Sequence, residues 1–326
     1  MRRTNVLCRR ISLTLLGILI GLALCEVFVR AFVNVRNVGP SFSVYDPFYG
    51  KVLKKNFSAS RFSPEFTMRF TTNARGFRGP PMASTSVRPI LFLGDSFTLG
   101  YGVTDGREFP DLVRKALNAK RPDTVPVINA GIGDNATGMW VKFLRAEGEA
   151  LNPGLVVLQV HATDYFDNIR HNVYRMTSDG ALHEQPVAPP GFKRKVQTVI
   201  EAVPGLMYCH LMGLVKQSLT GVAGIPSDEV NDVEDPLLLR LLEEVVNLCD
   251  EHQCPVLGVL ADLPEARLAA LKALFDAHGA PTVVIPTKDD RPDLYFKVDG
   301  HWNESGQRYV ADRVLEAIEK FNLKYW

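Results

Sequence analysis

Apolar positions along this chain of 326 residues follow three patterns. From Ile11 to Cys25 there is no charge, and read on to Val33 the stretch adds only Glu26 and Arg30. Residues 34–60 mix scattered aromatics with Pro, Gly, Ser and Asn, which predicts a loosely packed linker. FTMRFTTN (66–73) alternates well enough for a strand, and ARGFRGPP (74–81) closes it. From residue 85 onward short apolar runs alternate with helical periodicity. The runs are PILFLG (89–94), TVPVIN (124–129), LVVLQVH (155–161), PVLGVLA (255–261) and PTVVIP (281–286). Each suits a parallel strand covered on both faces.

Helical patterns separate these strands, at 109–120, 139–151, 235–252, 263–279 and 303–321. Alternating strands and helices predict one doubly wound α/β domain with a mainly parallel sheet. Residues 165–234 break the rhythm with Pro186, Pro189 and Pro190 and then a helical stretch around 193–219. They are expected to be an insertion beside the edge where the loops gather. The expected organisation is an N-terminal segment 1–10, a membrane helix 11–33, a linker with an accessory strand 34–84, and the α/β domain 85–326.

Charge sharpens the reading of the N-terminus. Arg2, Arg3, Arg9 and Arg10 precede the apolar run, with no acid among them. This predicts a cytoplasmic N-terminus and an exported C-terminal bulk. Glu26 and Arg30 stand at i and i+4, so they pair on one face of a helix. A cleaved signal has the same charged and apolar regions, but Leu22-Ala23-Leu24-Cys25 lacks a clear small-x-small cleavage site. Lipidation at Cys25 is disfavoured by the large Leu24, and a buried helix of a soluble protein is the third alternative. The expectation is an uncleaved anchor with the C-terminal bulk outside the cytoplasm.

Composition then excludes several classes. Hydrophobic residues are 46% and charged residues 22%, too apolar for a disordered chain. Lys plus Arg is 37 against 36 acids, so no overall basic field points to nucleic acid. The near balance hides an asymmetry. Residues 1–33 hold five arginines and one glutamate, net +4, whereas 34–326 hold 32 basic and 35 acidic residues, net −3. Five cysteines in this length do not make a disulfide scaffold. Cys249 and Cys254 could bridge in an exported protein, and two buried thiols are the favoured alternative. The histidines outside the C-terminal segment show no ligand spacing, so neither a metal nor a cofactor is expected. KDDRPD (288–293) reads as a solvated loop.

Candidate chemistry collects at strand ends. The first strand of the α/β domain ends in Gly94-Asp95-Ser96-Phe97, the second in Asn129-Ala130-Gly131-Ile132-Gly133-Asp134-Asn135, and the third in His161-Ala162-Thr163-Asp164. Near the C-terminus, Asp299-Gly300-His301-Trp302-Asn303 leads into the last helix, for which Asn303 is the expected cap. A serine in a tight turn after a strand exposes its hydroxyl, with nearby N–H groups able to face a developing oxyanion. Turn and cap roles alone would account for each segment singly; their combination carries the weight.

GDSFTLGYGV, NAGIGDNATG and DGHWNESG, in this order and separation, resemble the SGNH or GDSL hydrolases over roughly 85–326. TNARGFRG (72–79) and the anchor are similar to a membrane-tethered bacterial branch, and the Asp-x-His-Trp form resembles polysaccharide O-acetylation proteins more loosely. The resemblance implies a three-layer α/β/α, flavodoxin-like fold and esterase chemistry. By position, Ser96 matches the nucleophile, His301 the general base, and Asp299 the carboxylate that orients it. Val298 fills the position three before the histidine, so only Asp299 serves locally. The implied oxyanion donors fall on Ser96, on Gly133 or Asp134, and on Thr163, where the family usually carries asparagine.

The leading expectation is an exported, membrane-tethered serine esterase acting on a short acyl ester, acetyl above all, on an envelope or secreted glycan. An O-acyltransferase using the same residues is the first alternative. A glycan-binding or scaffolding module without turnover is the second. An acylated glycan or other small ester and the membrane are the expected partners, with no nucleic acid.

Overall fold

The structure is a computed structural model that describes residues 2–82, 85–119, 124–191, 197–198, 200–203, 205–220 and 236–323. Two compact units are distinguished among them. One comprises the described residues of Met1–Pro40, Arg61–Phe66 and Phe192–Ile225; the other comprises those of Ser41–Ser60, Thr67–Gly191 and Pro226–Trp326.

The first unit is dominated by helix α1 (Arg2–Phe32). Its apolar side chains from Val6 to Leu24 are largely exposed, and Val6–Phe32 is long and apolar enough to cross a bilayer. Among the described residues, only its C-terminal end packs. Val29, Val35 and Val38 form a small core with Leu211 and Leu214 of helix α6 (His210–Thr220). Parts of the expected helical stretch around 193–219, and residues 221–234 of the insertion, lie outside the described residues.

The second unit is a parallel sheet between two helical layers. Its strands are β5 (Ile90–Leu93), β6 (Val127–Asn129), β7 (Leu155–His161), β10 (Val256–Ala261) and β11 (Thr282–Ile285), in the order β11-β10-β7-β5-β6. Every neighbouring pair is parallel. Alternate residues point to opposite faces. Leu91, Leu93, Val156 and Leu158 pack with α4 (Thr137–Leu151), α7 (Pro236–Glu251) and α8 (Glu265–Ala277). Ile90, Phe92, Leu155 and Val157 pack with α3 (Phe109–Ala119) and α9 (Glu304–Lys320). Burial on both faces explains why these strands read as apolar runs without polar alternation. The three-layer α/β/α fold with flavodoxin-like order is the one expected.

The chain passes from β5 to β6 on one side and then crosses to β7 on the other. The order reverses between β5 and β7, and in open α/β sheets a ligand crevice forms at the carboxyl ends beside such a switch.

The linker expectation needs correction. Residues 34–60 hold β1 (Ser43–Asp46) and β2 (Gly50–Leu53), an antiparallel hairpin, and the start of β3 (Ser58–Phe62), while β4 (Thr67–Thr71) is the expected accessory strand. Strands of four or five residues with partly exposed positions carry too little periodicity to separate from a loop. In the insertion, α5 (Asp164–His171) is followed by the hairpin β8 (Tyr174–Met176) and β9 (Leu182–Glu184).

Candidate active site

Ser96 opens the four-residue helix α2 (Ser96–Leu99) directly after β5. Asp95 caps this helix, accepting the Phe97 N–H at 2.8 Å. Asp95 is buried, which pushes its carboxyl above the usual range against the pull of His161 and His301. Two glycines make the turn possible. A β-carbon on Gly94 would lie 2.2 Å from Thr98 Oγ1, and one on Gly131 would lie 2.3 Å from the Leu99 nitrogen. The loop after β6 therefore passes against the backbone of the serine turn at a distance only glycine allows.

The far side of the turn is held by Arg78, from the RGFRG segment. Its buried guanidinium donates to the carbonyls of Leu99 and Gly100, each at 2.7 Å, and to Val103, also at 2.7 Å. Asp105 balances its charge at 3.2 Å.

The C-terminal segment brings the base to the serine. Asn303 caps α9 by accepting from Ser305 and Gly306, as expected, while its amide donates to the carbonyls of Asp293 and Tyr295. Gly300, at φ +86°, turns the chain between Asp299 and His301, so that residues two apart face each other. His301 Nδ1 lies 2.5 Å from Asp299 Oδ1, and its Nε2 lies 2.7 Å from Ser96 Oγ. An ionised Asp299 accepts from Nδ1–H, which leaves the Nε2 lone pair for the serine hydroxyl proton. Phe97 and Tyr101 flank the imidazole, with ring centroids at 4.8 and 5.0 Å. Val298, 61% exposed, carries an aliphatic side chain with no acceptor for the imidazole N–H.

The residues expected around the oxyanion lie differently from one another. Gly133 comes close: a β-carbon there would meet Ser96 Cβ at 3.6 Å. Its carbonyl accepts from Lys51 Nζ at 2.5 Å. Asp134 is in the left-handed region at φ +55°, with its carboxylate 3.2 Å from Lys51 and 3.7 Å from Arg170. Desolvation by the surrounding loops works against its charge, but Lys51 and Arg170 outweigh it and hold the carboxyl below the usual range. The carboxylate is thus held as an anion between two cations, one residue on from Gly133.

Thr163 is engaged elsewhere. Its hydroxyl is 3.0 Å from His161 Nδ1, which also accepts the Thr163 N–H at 3.2 Å. That N–H assigns the neutral proton of His161 to Nε2, which faces Asp262 at 3.6 Å. The same ring stacks on Phe97 at 4.4 Å. His161, which the sequence offered without ligand spacing, therefore sits within the site's wall. Register explains Asp262: His161 pairs with Ala261, the last residue of β10, so the residue that follows the strand emerges beside the imidazole.

A second group missed by the sequence reading surrounds the β6 loop. His171 Nε2 donates to the Asp134 carbonyl at 2.9 Å, and burial with the nearby Arg170 and Lys51 pushes its pKa down to about 4. Asp167, paired to Arg170 at 2.7 Å, is pushed up to about 6 by burial. The loop also forms, through Ile132 and Asn135, one wall of a cavity of about 260 Å³ with Tyr49, Lys51, Trp140 and Phe143. Among the described residues no three His, Cys, Asp or Glu side chains converge as metal ligands. Cys249 and Cys254 are buried free thiols.

No family model and no curated protein matches the chain. Among solved structures it is similar to the esterase EstA of Pseudoalteromonas sp., with 15% identity and a TM-score of 0.44 over 72% of this chain and 98% of that one. An acetyl xylan esterase, AlAXEase, gives 17% identity and a TM-score of 0.41 over 71% and 99%. AlinE4, an SGNH-hydrolase family esterase, gives 16% and 0.39 over 73% and 98%. At TM-scores below 0.5 these likenesses carry no functional inference, which rests instead on the geometry of Ser96, His301 and Asp299.

Proposed function

We propose that the protein is a serine esterase of the SGNH type that works through an acyl-Ser96 intermediate. The observation that carries this is the unbroken hydrogen-bonded chain from Asp299 through His301 to Ser96, set beside the switch point of the sheet. Ser96 Oγ attacks the ester carbonyl carbon while His301 Nε2 takes its proton. Asp299 stays ionised and stabilises the imidazolium. The N–H groups of Ser96 and Gly133 are the donors we assign to the oxyanion. Thr163 is left out of this set, because its hydroxyl is held on His161. Collapse of the tetrahedral adduct breaks the carbon–oxygen bond to the alcohol, which leaves with the proton from His301. Water then repeats the sequence, releasing the acid and restoring Ser96.

The substrate we propose is a short acyl ester, acetyl above all, on an envelope or secreted glycan. Its support is α1. The helix runs unbroken from Arg2 to Phe32 behind a basic N-terminus, as an uncleaved anchor that leaves the bulk of the chain outside would. A structure that continues past Cys25 into the packed residues Val29, Val35 and Val38 supports the anchor over a removable leader.

The test uses the full chain in detergent. Hydrolysis of nitrophenyl acetate is expected for the wild type, with Ser96→Ala reduced to the solvent background. Equal rates in the two proteins would remove the serine mechanism.

A further inference from the structure

The packed end of α1 carries an unusual polar arrangement. Glu26 lies on the same helix as the exposed apolar run, yet its carboxylate is not left to solvent. It accepts the N–H of His210 at 2.9 Å and the N–H of Leu211 at 2.8 Å, while Arg30 donates to it at 3.1 Å. The first N–H groups of a helix have no partner within that helix, and a carboxylate is a good partner for them. Glu26 therefore caps α6 from a residue 184 positions away.

Other contacts fix α6 against the same stretch. A β-carbon on Gly213 would sit 2.6 Å from Val35 Cγ1 and 3.1 Å from the Asn37 carbonyl, so the two segments approach as closely as glycine permits. The Arg36 N–H donates to Gln217 Oε1 at 3.0 Å, and the Gly39 N–H to the Met207 carbonyl at 2.9 Å.

Depth follows from helix geometry. At 1.5 Å per residue, Glu26 stands about 22 Å and Phe32 about 31 Å along the axis from Ile11, the first residue of the uncharged run. A hydrocarbon core is about 30 Å thick. With Ile11 at the inner boundary, Phe32 reaches the outer one, and Glu26 lies about 7 Å inside it. A carboxylate at that depth is costly unless neutralised and hydrogen-bonded. Arg30 and the start of α6 supply both, and α6 must then sit at the same depth.

The composition of α6 suits that position. HLMGLVKQSLT carries Lys216 as its one formal charge, and Val215 on its surface is 44% exposed. Tyr208, in the turn Leu206–Tyr208 just before it, is 38% exposed. Neighbouring Phe28 and Phe32 on α1 are 58% and 76% exposed. Exposed aromatic and apolar side chains beside a lysine whose ammonium can reach water suit a segment at the headgroup boundary.

We propose that α6 and the turn before it form an interfacial membrane element, seated in the outer leaflet against α1 and held there by Glu26. The partner is the lipid bilayer itself. This rests on the reading of α1 as a membrane span, and the experiment separates the two.

Full-length protein is reconstituted in vesicles of phosphatidylethanolamine and phosphatidylglycerol, with the photoreactive residue benzoylphenylalanine placed singly at Leu19 or Val215. Lipid adducts after illumination are read by mass spectrometry. Adducts at both positions are expected. An adduct at 19 without one at 215 would overturn the interfacial element and leave the span intact. No adduct at 19 would overturn the span, and α6 with it. In a Glu26→Ala background the adduct yield at 215 is expected to fall severalfold while that at 19 holds. An unchanged yield at 215 would refute Glu26 as the docking residue.

Discussion

His301 Nε2 and Ser96 Oγ are 2.7 Å apart although 205 residues separate them in the chain. The sheet explains the meeting. Ser96 leaves the carboxyl end of β5, a central strand, and α9 packs on the face of the sheet formed by Ile90 and Phe92. The segment that enters α9 therefore passes over the same end. Trp302, fully buried and edge-on to Phe97 at 4.7 Å, locks it there.

Asp299→Asn tests the orientation of the base. The amide nitrogen of asparagine donates where the carboxylate accepts, which favours the tautomer with its proton on Nε2. That nitrogen then cannot take the serine proton. A fall of roughly 10⁴-fold in kcat, as in the well-studied serine triad, is expected with little change in KM. Steady-state kinetics on nitrophenyl acetate measures it, and a loss under tenfold would remove Asp299 from the mechanism.

Thr163→Val asks whether the third strand end supplies an oxyanion donor. Because the hydroxyl is bound to His161, kcat/KM is expected to stay within about threefold of wild type. Losing a true donor costs about 2.7–4 kcal/mol, or 10²–10³ in rate. A drop of that size would put Thr163 back in the hole.

Gly131→Ala probes the close passage of the β6 loop. The added carbon would meet backbone at 2.3 Å, so loop or helix must shift. A loss of about 1–3 kcal/mol is expected, as for overpacking generally, with esterase activity falling further than stability. Thermal melts beside initial rates decide it; a wild-type melt would show that the approach is looser.

What was legible in the sequence divides along the same line as local and long-range structure. The three central strands β5, β7 and β10 announced themselves as apolar runs because both of their faces are buried. The edge strands β6 and β11 read as apolar runs as well, although β11 leaves Val284 exposed, and Ser96, Asp299 and His301 stood in short motifs. Asn303 was readable as a cap for the same reason. Lys51 was hidden, since its contact with Gly133 joins a four-residue hairpin strand to a loop 82 residues on. Asp262 gained meaning only through the register of β10 on β7; Glu26 was readable as the partner of Arg30, but its cap on α6 was not. Thr163 shows the converse: its motif position suggested a donor, and a histidine two residues earlier took up its hydroxyl.

Asp167 provides a pH signature. Its pKa is raised by burial from the ordinary 3.8 to about 6, so the fold favours the protonated form. Its contribution is fully present below about pH 4, is lost as pH rises through about 6, and is constant above that. Asp167→Asn should therefore gain stability relative to wild type between pH 4 and 6, with the difference flat from pH 7 upward. Urea midpoints at four pH values measure this. A difference that does not vary with pH would contradict a carboxyl titrating near 6.

The central claim is that Ser96 is a nucleophile activated by His301. A fluorophosphonate reacts with such a serine by phosphonylating its oxygen, and digestion with mass spectrometry locates the adduct. The account predicts one adduct on the peptide containing Ser96, absent from Ser96→Ala and strongly slowed in His301→Ala. No adduct on wild type, or equal labelling of Ser96→Ala, would contradict it.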